Sequence, residues 1–292
     1  MAHTFTEELH KGFAQQHTIE GTTLVDERSE FQHIMIFDAP ALGRVLVLDQ
    51  IVQLTTRDEC GYSEMLVHLP YFELKAKGVT ASRALVIGGG DGAVAEEFLK
   101  HASMAVVDMA EIDPKVIEVS KKYLKEAHKG AFDNPRLKVH VTDGAAFIRE
   151  PSAIGAFDII AADRPDPVGP AKVLFADEFY ASVSKALKPH GLALFQTGVP
   201  HFQHSELAET LPQLARAFRH VGVIVSVVPT YVGGFMALTW GSNDTRLGDA
   251  PFEAVAKAYQ ASGIKTDYYN AEIHRASMAL PNWMKRLVPD LR

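Results

Sequence analysis

The fold is decided by the stretch RALVIGGGDGAVAEEFLKH, residues 83–101. Its first six residues are apolar enough for a buried strand, and its last ten have the apolar spacing of a helix. Between them lie glycines that permit a tight turn and the close approach of a ligand to the backbone. The stretch therefore predicts a strand, a turn and a helix in immediate succession.

The same alternation continues along the chain. Four further strands are predicted, each with a helix after it, in the segments MAVVDMAEID (104–113), RLKVHVTDG (136–144), FDIIAAD (157–163) and LALFQTG (192–198). The helix after FDIIAAD, DEFYASVSKALKPHG (177–191), is expected to be closed by its final Pro-His-Gly. Strands that alternate with helices are typical of an α/β protein with a doubly wound, mostly parallel sheet. Ligands of such sheets bind beyond the carboxyl ends of the strands.

The N-terminal part has a different pattern. Residues 18–58 contain short runs rich in Ile, Val and Leu that Asp, Pro and Gly interrupt, without a helical period. Such runs predict antiparallel hairpins. We therefore expect a small N-terminal β domain over residues 1–60 and a larger domain over residues 61–292. The larger domain should begin with a helix that turns one face to the core, because Tyr62, Met65, Leu66 and Leu69 recur at three- and four-residue spacing.

Composition narrows the class of protein. Among the 292 residues, 29 are Lys or Arg and 36 are Asp or Glu, so the net charge is -7. This balance disfavours nucleic acid as the main partner and suits a cationic small molecule. The single cysteine, Cys60, rules out a disulfide within the chain. No apolar run has the length of a membrane span, and the first twenty residues lack a signal-peptide core, so we expect a cytoplasmic protein.

The glycine turn is not a dinucleotide fingerprint. The pattern G-x-G-x-x-G would need glycine at position 93, which is Ala93. Asp91 within the turn would repel a pyrophosphate. A cationic ligand is therefore a better fit than NAD, although Asp91 could simply cap the following helix.

Acidic residues follow the next three strands. Glu111 stands where an acid can accept hydrogen bonds from ribose hydroxyls, and Asp143 could accept from an exocyclic amine of adenine. Asp163 and Asp166 follow the fourth strand. Each acid alone could be a helix cap or a solvated side chain, but the series predicts a pocket for an adenosine that carries positive charge, such as S-adenosylmethionine or a relative. His201 and His204 have a spacing that metal ligands can have, but no ligand set completes a site, so we expect no metal.

Several motifs together resemble the spermidine synthase family of aminopropyltransferases. They are VIGGGDGA, AEID, TDGAAF, FDIIAADRPDPVGPA, LFADEFY, VPTYVGGFMALTWGS and YYNAEIHRASMALP. The resemblance implies a Rossmann-like methyltransferase fold with a small N-terminal antiparallel β domain, and a homodimer or homotetramer. It also implies transfer of an aminopropyl group from decarboxylated S-adenosylmethionine, a co-substrate rather than a tightly bound cofactor, to a diamine, usually putrescine.

The resemblance implies a role for each matching residue. Asp163 would be the catalytic base. The acceptor amine would be held by Tyr62, Asp166, Gln196 and Tyr231. The donor would be held by Gln53, Gly88, Asp91, Glu111, Asp143 and Gly144, with Pro170 and Leu174 against its adenine. Residues 163–176 correspond to the lid of the family.

The chain departs from the family pattern at a few positions. The family motif Asp-Ser-Ser-Asp-Pro is here Asp163-Arg164-Pro165-Asp166-Pro167, and Ser63 replaces the usual His or Gln. Phe5 stands where many members have Trp, and Thr56 stands where the family often has Glu. We expect Arg164 to point to solvent; an inward side chain would pair with an acid and depress the pKa of that acid. These departures leave open a donor that retains its carboxylate, S-adenosylmethionine itself, with methyl or aminocarboxypropyl transfer. A larger amine acceptor and a non-catalytic nucleoside-binding protein also stay open.

Overall fold

A computed structural model describes residues 3–165 and 173–288. Its N-terminal part is a five-stranded antiparallel sheet in the order β1-β2-β3-β4-β5. The strands are β1 (His3–Glu7), β2 (Gln15–Arg28), β3 (His33–Ala39), β4 (Gly43–Leu48) and β5 (Ile51–Thr55). The predicted hairpins are present, and the sheet begins earlier in the chain than the sequence indicated. β1 was not predicted from the sequence, because only two of its five residues, Phe5 and Glu7, are buried.

The second sheet has seven strands in the order β11-β12-β10-β9-β6-β7-β8. These strands are β6 (Arg83–Gly88), β7 (Val106–Glu111), β8 (Leu137–Val141), β9 (Phe157–Asp163), β10 (Leu187–Gln196), β11 (His220–Ser226) and β12 (Met236–Ser242). β6 to β10 are parallel, while β12 runs antiparallel to β10 and β11 antiparallel to β12. The prediction of a doubly wound, mostly parallel sheet is thereby confirmed.

Ten α-helices connect or cover the strands within the described residues. They are α1 (Cys60–Ala76), α2 (Ala93–Leu99), α3 (Pro114–Tyr123), α4 (Lys125–His128), α5 (Gly144–Phe147), α6 (Asp177–Ala186), α7 (His204–Ala217), α8 (Phe252–Ser262), α9 (Ala271–Ala276) and α10 (Asn282–Leu287). In that part of the chain, no helix is both long and apolar enough to cross a membrane.

Two elements differ from the sequence prediction. α1 was expected to bury one face, but all residues from Gly61 to Leu74 are buried, because α1 lies between the large sheet and other helices. The segment KPHG was expected to close a helix, yet β10 already begins at Leu187 and includes it. A register shift between Leu187 and Leu192 accommodates Pro189 within this strand.

Apolar clusters join the layers. One cluster fills the face of the large sheet that carries α1, and a second fills the face that carries α6 and α7. A third links the two sheets, with Val25, Ile36 and Leu46 packed against Val116 and Leu124 of the α3 region. β5 ends at Thr55 and α1 begins at Cys60; the domain boundary at residue 60 stays a prediction.

The strand order reverses between β6 and β9. The chain proceeds outward from β6 through β7 to β8, then returns to place β9 on the other side of β6. Gly88 at the end of β6 pairs in register with Asp163 at the end of β9. The two motifs that the sequence singled out therefore meet at the point where ligands of such sheets bind.

Candidate active site

The glycine turn after β6 is shaped to admit close neighbours. Gly88, Gly89 and Gly92 all have φ between 71° and 85°, a backbone conformation that favours glycine. A Cβ atom at Gly88 would collide with the carbonyl oxygen of Asp163. These glycines are therefore needed for β6 and β9 to end side by side.

Asp163 lies at the centre of the site. Its carboxylate oxygen Oδ1 accepts a hydrogen bond of 2.8 Å from the Tyr62 hydroxyl of α1. Burial raises the pKa of Asp163 to about 8, and the negative charge of Asp91 acts in the same direction, whereas the bond from Tyr62 acts against it. The result is a carboxyl group that can exchange a proton near neutral pH.

Two acids that were predicted to hold the donor, Asp91 and Glu111, lie at the glycine turn. Glu111 is buried and accepts from the backbone N–H groups of Gly90 (3.2 Å) and Asp113 (2.8 Å). Burial raises the pKa of Glu111 to about 7 and also raises the pKa of Asp91. The Asp91 carboxylate accepts from the N–H of Ala93, the first residue of α2, at 2.8 Å, but the N-cap residue of α2 is Gly92.

Asp143 and Gly144 follow β8 at the same edge. Asp143 caps α5, with its carboxylate accepting from the Ala145 N–H at 2.8 Å. A Cβ at Gly144 would press on the Ile87 side chain at 2.5 Å, which explains glycine at this position. Asp143 therefore has the capping role that the sequence left open. Its role in donor binding stays a prediction.

Four predicted site residues line one pocket together with Asp163. They are Gln53, Tyr62, Gln196 and Tyr231. The Tyr231 hydroxyl donates to the backbone carbonyl of Gln53, and its ring meets that of Tyr62 edge to face at 6.1 Å between centroids. The structure thus brings Gln53, predicted on the donor side, against Tyr231, predicted on the acceptor side.

The N-terminal strands contribute residues to this pocket that were not predicted from the sequence. Glu7, His10 and Gln15 also line it. The Glu7 carboxylate is buried and accepts from the Gln15 side-chain amide and from the Val52 backbone N–H, both at 2.8 Å. The available signal was an acid at an inward position of the alternating segment HTFTE.

The expectation for Arg164 was wrong. Arg164 is 2% exposed, so its side chain does not point to solvent. It also pairs with no carboxylate among the residues that the structure describes. Its guanidinium donates to the carbonyl oxygens of Gln196 and Leu174 and to the Tyr180 hydroxyl. The reason is strand alternation: Asp163 faces α1, so the next side chain faces α6.

The other departures from the family pattern have local explanations. Ser63 is buried and donates to the backbone carbonyl of Glu59 at 2.8 Å and to the Glu59 carboxylate. Phe5 is buried in the N-terminal sheet, where its ring lies 5.7 Å from that of Phe37. Thr56 accepts from the Arg44 backbone N–H at 3.0 Å.

The remaining predicted site residues belong to the segment around the gap in the described residues. Leu174 is half-buried and packs against the apolar cluster that contains Phe179 and Tyr180 of α6. Asp166 and Pro170 lie outside the described residues. Over residues 3–165 and 173–288, no cluster of three His, Cys, Asp or Glu side chains is arranged to hold a metal ion.

The site as a whole is acidic and can bind positive charge. Three carboxyl groups with raised pKa values, Asp91, Glu111 and Asp163, stand around one glycine turn. Their mutual repulsion and burial would be relieved by cationic ligands. Doubly wound sheets bind their ligands at this switch point, and an acidic centre there suits a ligand that carries positive charge.

Comparison with known proteins identifies the family. The family model described as the spermine/spermidine synthase domain matches residues 59–249, and that described as the spermidine synthase tetramerisation domain matches residues 4–56. A polyamine aminopropyltransferase of Ruegeria sp. is 42% identical over 284 residues, which cover 97% of this chain and 98% of that protein. Polyamine aminopropyltransferase 1 of Pseudomonas aeruginosa is 38% identical, with 97% of each chain covered.

A solved structure agrees. It is that of a spermidine synthase in complex with the transition-state analogue AdoDATO, with a TM-score of 0.91 and 31% identity over 98% of this chain and 94% of that one. The chain therefore belongs to the spermine/spermidine synthase family.

Proposed function

We propose that this protein is a polyamine aminopropyltransferase that uses decarboxylated S-adenosylmethionine as donor and putrescine as acceptor, with Asp163 as base. The observation that carries the proposal is the Asp163 carboxyl group, whose pKa is raised to about 8 beside a glycine turn and two further acids. Such a group is matched to the deprotonation of an amine at neutral pH. Membership of the spermine/spermidine synthase family supports the same reaction.

The chemistry follows from the substrates. An aliphatic amine with a pKa of about 10 is protonated at pH 7 and has no free electron pair for attack. Asp163 accepts a proton from it, and the nitrogen then forms a bond to the aminopropyl carbon next to the sulfonium. The carbon–sulfur electron pair goes to sulfur, which leaves as neutral methylthioadenosine. The products are spermidine and methylthioadenosine.

The donor site is proposed on the acids and glycines around β6, β7 and β8. Glu111 would accept from the ribose hydroxyls, and Asp91 would face the donor's terminal ammonium group. Gly88, Asp143, Gly144 and Leu174 would surround the nucleoside, and Gln53 would reach the aminopropyl chain. Pro170 is assigned to the adenine by family resemblance alone.

The acceptor site is proposed in the pocket that Asp163 shares with Tyr62, Gln196 and Tyr231. Asp166 is assigned there by family resemblance. Glu7 supplies a buried carboxylate in the same pocket, and we assign to it the ammonium group at the far end of the diamine. One acid for each nitrogen favours a diamine over a monoamine.

The alternative with intact S-adenosylmethionine gains no support from Arg164. This guanidinium already donates to Gln196, Leu174 and Tyr180. Asp91 in the glycine turn would repel the carboxylate that the intact donor carries. Decarboxylated S-adenosylmethionine is therefore the donor that the charges favour.

We further propose that the protein forms a homodimer or homotetramer. The support is the match of residues 4–56 to a domain described as a tetramerisation domain. Sedimentation-velocity ultracentrifugation of the purified protein would distinguish a dimer, a tetramer and a monomer.

Replacement of the base tests the function. We expect Asp163→Asn to lower kcat by roughly 100-fold or more, because general base catalysis contributes about 10²–10⁴-fold. Binding of methylthioadenosine, measured by calorimetry, should change little. A variant that makes spermidine at close to the wild-type rate would contradict the role of Asp163.

A further inference from the structure

Arg164 occupies an unusual position next to the proposed base. It follows Asp163 directly, and its side chain projects to the opposite face of β9, toward Tyr180 of α6. The side chain is 2% exposed. A cation in such a place is costly unless its donors are satisfied, and burial does lower the pKa of Arg164. A position that needed only bulk would be filled better by an apolar residue.

The donors of Arg164 reach three separate parts of the chain. Nε donates to the Gln196 carbonyl at 3.2 Å and Nη2 to the Tyr180 hydroxyl at 3.0 Å, while Nη1 donates to the Leu174 carbonyl. The guanidinium also lies over the Phe175 ring, 3.6 Å from its centroid. The planar fork thus fixes the end of β10 relative to the turn that precedes α6.

Two of these partners belong to the proposed site. Gln196 lines the pocket of the acceptor amine, and Leu174 is assigned to the donor nucleoside. Their backbone carbonyls are held by one rigid group, so their relative positions are linked. Lysine could replace the charge but not the fork, because its ammonium is a single point with no fixed directions.

We propose that Arg164 is a positioning residue for the transfer reaction, which aligns Gln196 and Leu174 through their backbone carbonyls. This inference rests on the proposed function. Arg164 does not touch the reacting atoms in this account; it acts through the residues that hold the substrates.

The chain offers a matched control. Arg136 donates to the backbone carbonyls of His101 and Met104, each at 2.9 Å, and to that of Leu99. It precedes β8, at the end of the parallel strands remote from the site. Arg136→Lys therefore breaks a comparable fork without a link to the substrates.

The test compares steady-state kinetics of Arg164→Lys and Arg136→Lys with decarboxylated S-adenosylmethionine and putrescine. We expect both variants to lower Tm. Only Arg164→Lys should lower kcat/KM for putrescine, by roughly 10- to 100-fold, as expected for a displacement on the order of 1 Å, and most of the loss should lie in KM. Equal kinetics of the two variants would overturn the proposal.

A second variant and a binding measurement test the role of Arg164 where Arg164→Lys does not fold or the wild type is inactive. Tyr180→Phe removes one partner of the fork and should raise the KM of putrescine in the same direction by a smaller factor; if Arg164→Lys does not fold, an unchanged KM in Tyr180→Phe overturns the proposal. If the wild type makes no spermidine, the proposed function fails. The positioning role of Arg164 is then tested by the Kd of putrescine. That Kd should rise in Arg164→Lys and not in Arg136→Lys. A wild type that neither turns over nor binds putrescine overturns both proposals.

Discussion

At the scale of single residues, the Asp163 carboxyl group is the most informative feature. It stands in a site where burial and the charge of Asp91 disfavour its ionised form, and one hydrogen bond from Tyr62 favours it. A cationic amine that enters the site would shift the balance toward the carboxylate. The Asp163 carboxyl group therefore stays protonated to a higher pH than an exposed aspartate. Its ionisation falls in the pH range in which we propose that it acts as a base.

The pH dependence of the reaction should report this group. Because the pKa of Asp163 is raised to about 8, the proposed base is protonated, and should be inactive, in the free protein at lower pH. We expect kcat/KM for putrescine to rise with pH and to reach half of its plateau near pH 8, in initial-rate assays at a fixed donor concentration. A profile that is flat between pH 6 and pH 9 would contradict this assignment.

The stability of the folded protein should also depend on Asp163, but it should fall with rising pH where the activity rises. The pKa of Asp163 is higher in the folded protein than in an unfolded chain, so the folded state binds more protons between about pH 4 and pH 8, and stability falls as pH rises through this range. Asp163→Asn removes the buried charge. We expect this variant to have a higher Tm than the wild type at pH 8 and a smaller difference at pH 5, measured by scanning calorimetry.

The Tyr62 hydroxyl should set the position of the pH profile. Its hydrogen bond to Asp163 lowers the pKa of that group, so Tyr62→Phe should move the ascending limb of kcat/KM to higher pH. The matched control is Tyr71→Phe on the same helix, whose hydroxyl contacts Ser103 instead. An unshifted profile in Tyr62→Phe would show that the hydrogen bond does not tune the base.

At the scale of secondary-structure elements, the starts of the strands are held by another acid. The Asp158 carboxylate accepts from the backbone N–H of Ser82 (2.9 Å) and Arg83 (3.0 Å), from Lys188 (2.7 Å) and from His190 (2.8 Å). It therefore joins β6, β9 and β10 at the edge opposite to the site. This clamp keeps the strands in the register that pairs Gly88 with Asp163.

The clamp should give the protein an acid-sensitive stability. Burial alone would raise the pKa of Asp158, but the hydrogen bonds outweigh it and lower the pKa to about 2. Its stabilisation is therefore complete above about pH 4 and is lost as pH falls toward 2. Asp158→Asn should lower the free energy of unfolding in urea by about 2 kcal/mol at pH 7 and by less at pH 3.

An exposed ion pair provides the control for this experiment. Asp177 pairs with Arg216 at 2.7 Å, and both side chains are about half exposed. Asp177→Asn should change the free energy of unfolding by less than about 1 kcal/mol at either pH. A cost of Asp158→Asn that is the same at pH 3 and pH 7 would exclude the clamp as the source of acid sensitivity.

The elements of the large sheet were predictable because each strand and helix carries its own local pattern. Apolar runs followed by glycine or aspartate predicted β6, β7, β8 and β9 together with their turns. The limits of β1 and β10 were not predictable in this way. β1 depends on its packing in the N-terminal sheet, and the proline in KPHG hides the early start of β10.

At the scale of the whole molecule, the two sheets build one site. Asp163 and Gln196 come from the large sheet, while Glu7 and Gln53 come from the N-terminal sheet, and all four line the same pocket. Gln15 links the N-terminal sheet to the segment between β11 and β12, because its side-chain amide donates to Glu7 and, at 3.1 Å, to the Thr230 carbonyl. The N-terminal sheet thus contributes directly to the pocket.

Glu7 should therefore determine the affinity for a second ammonium group. We expect Glu7→Gln to raise the KM of putrescine by roughly 10- to 100-fold, because it removes a charge-assisted hydrogen bond. The KM of the donor should stay the same. Glu8→Gln, at an exposed neighbouring position, is the control and should have no effect on either KM. Equal KM values of putrescine in the two variants would show that Glu7 does not bind the acceptor.

The site could be predicted from the sequence where the residues stand at strand ends. Gly88, Asp91, Glu111 and Asp163 meet because parallel strands end at one edge of the sheet. Glu7 could not be placed, since its approach to the pocket depends on how the two sheets pack. The predicted direction of Arg164 was wrong. Strand alternation indicates the inward direction, and backbone carbonyl oxygens satisfy the buried guanidinium in place of the acidic partner that we expected an inward side chain to need.

The most direct test of the central claim is a product assay by mass spectrometry. The purified protein would be incubated with putrescine and, in separate reactions, with decarboxylated S-adenosylmethionine or with S-adenosylmethionine. The proposed aminopropyl transfer predicts spermidine and methylthioadenosine in equal amounts from the decarboxylated donor and no product from the intact donor. Methylputrescine or a carboxylated polyamine from S-adenosylmethionine, without spermidine from the decarboxylated donor, would contradict it.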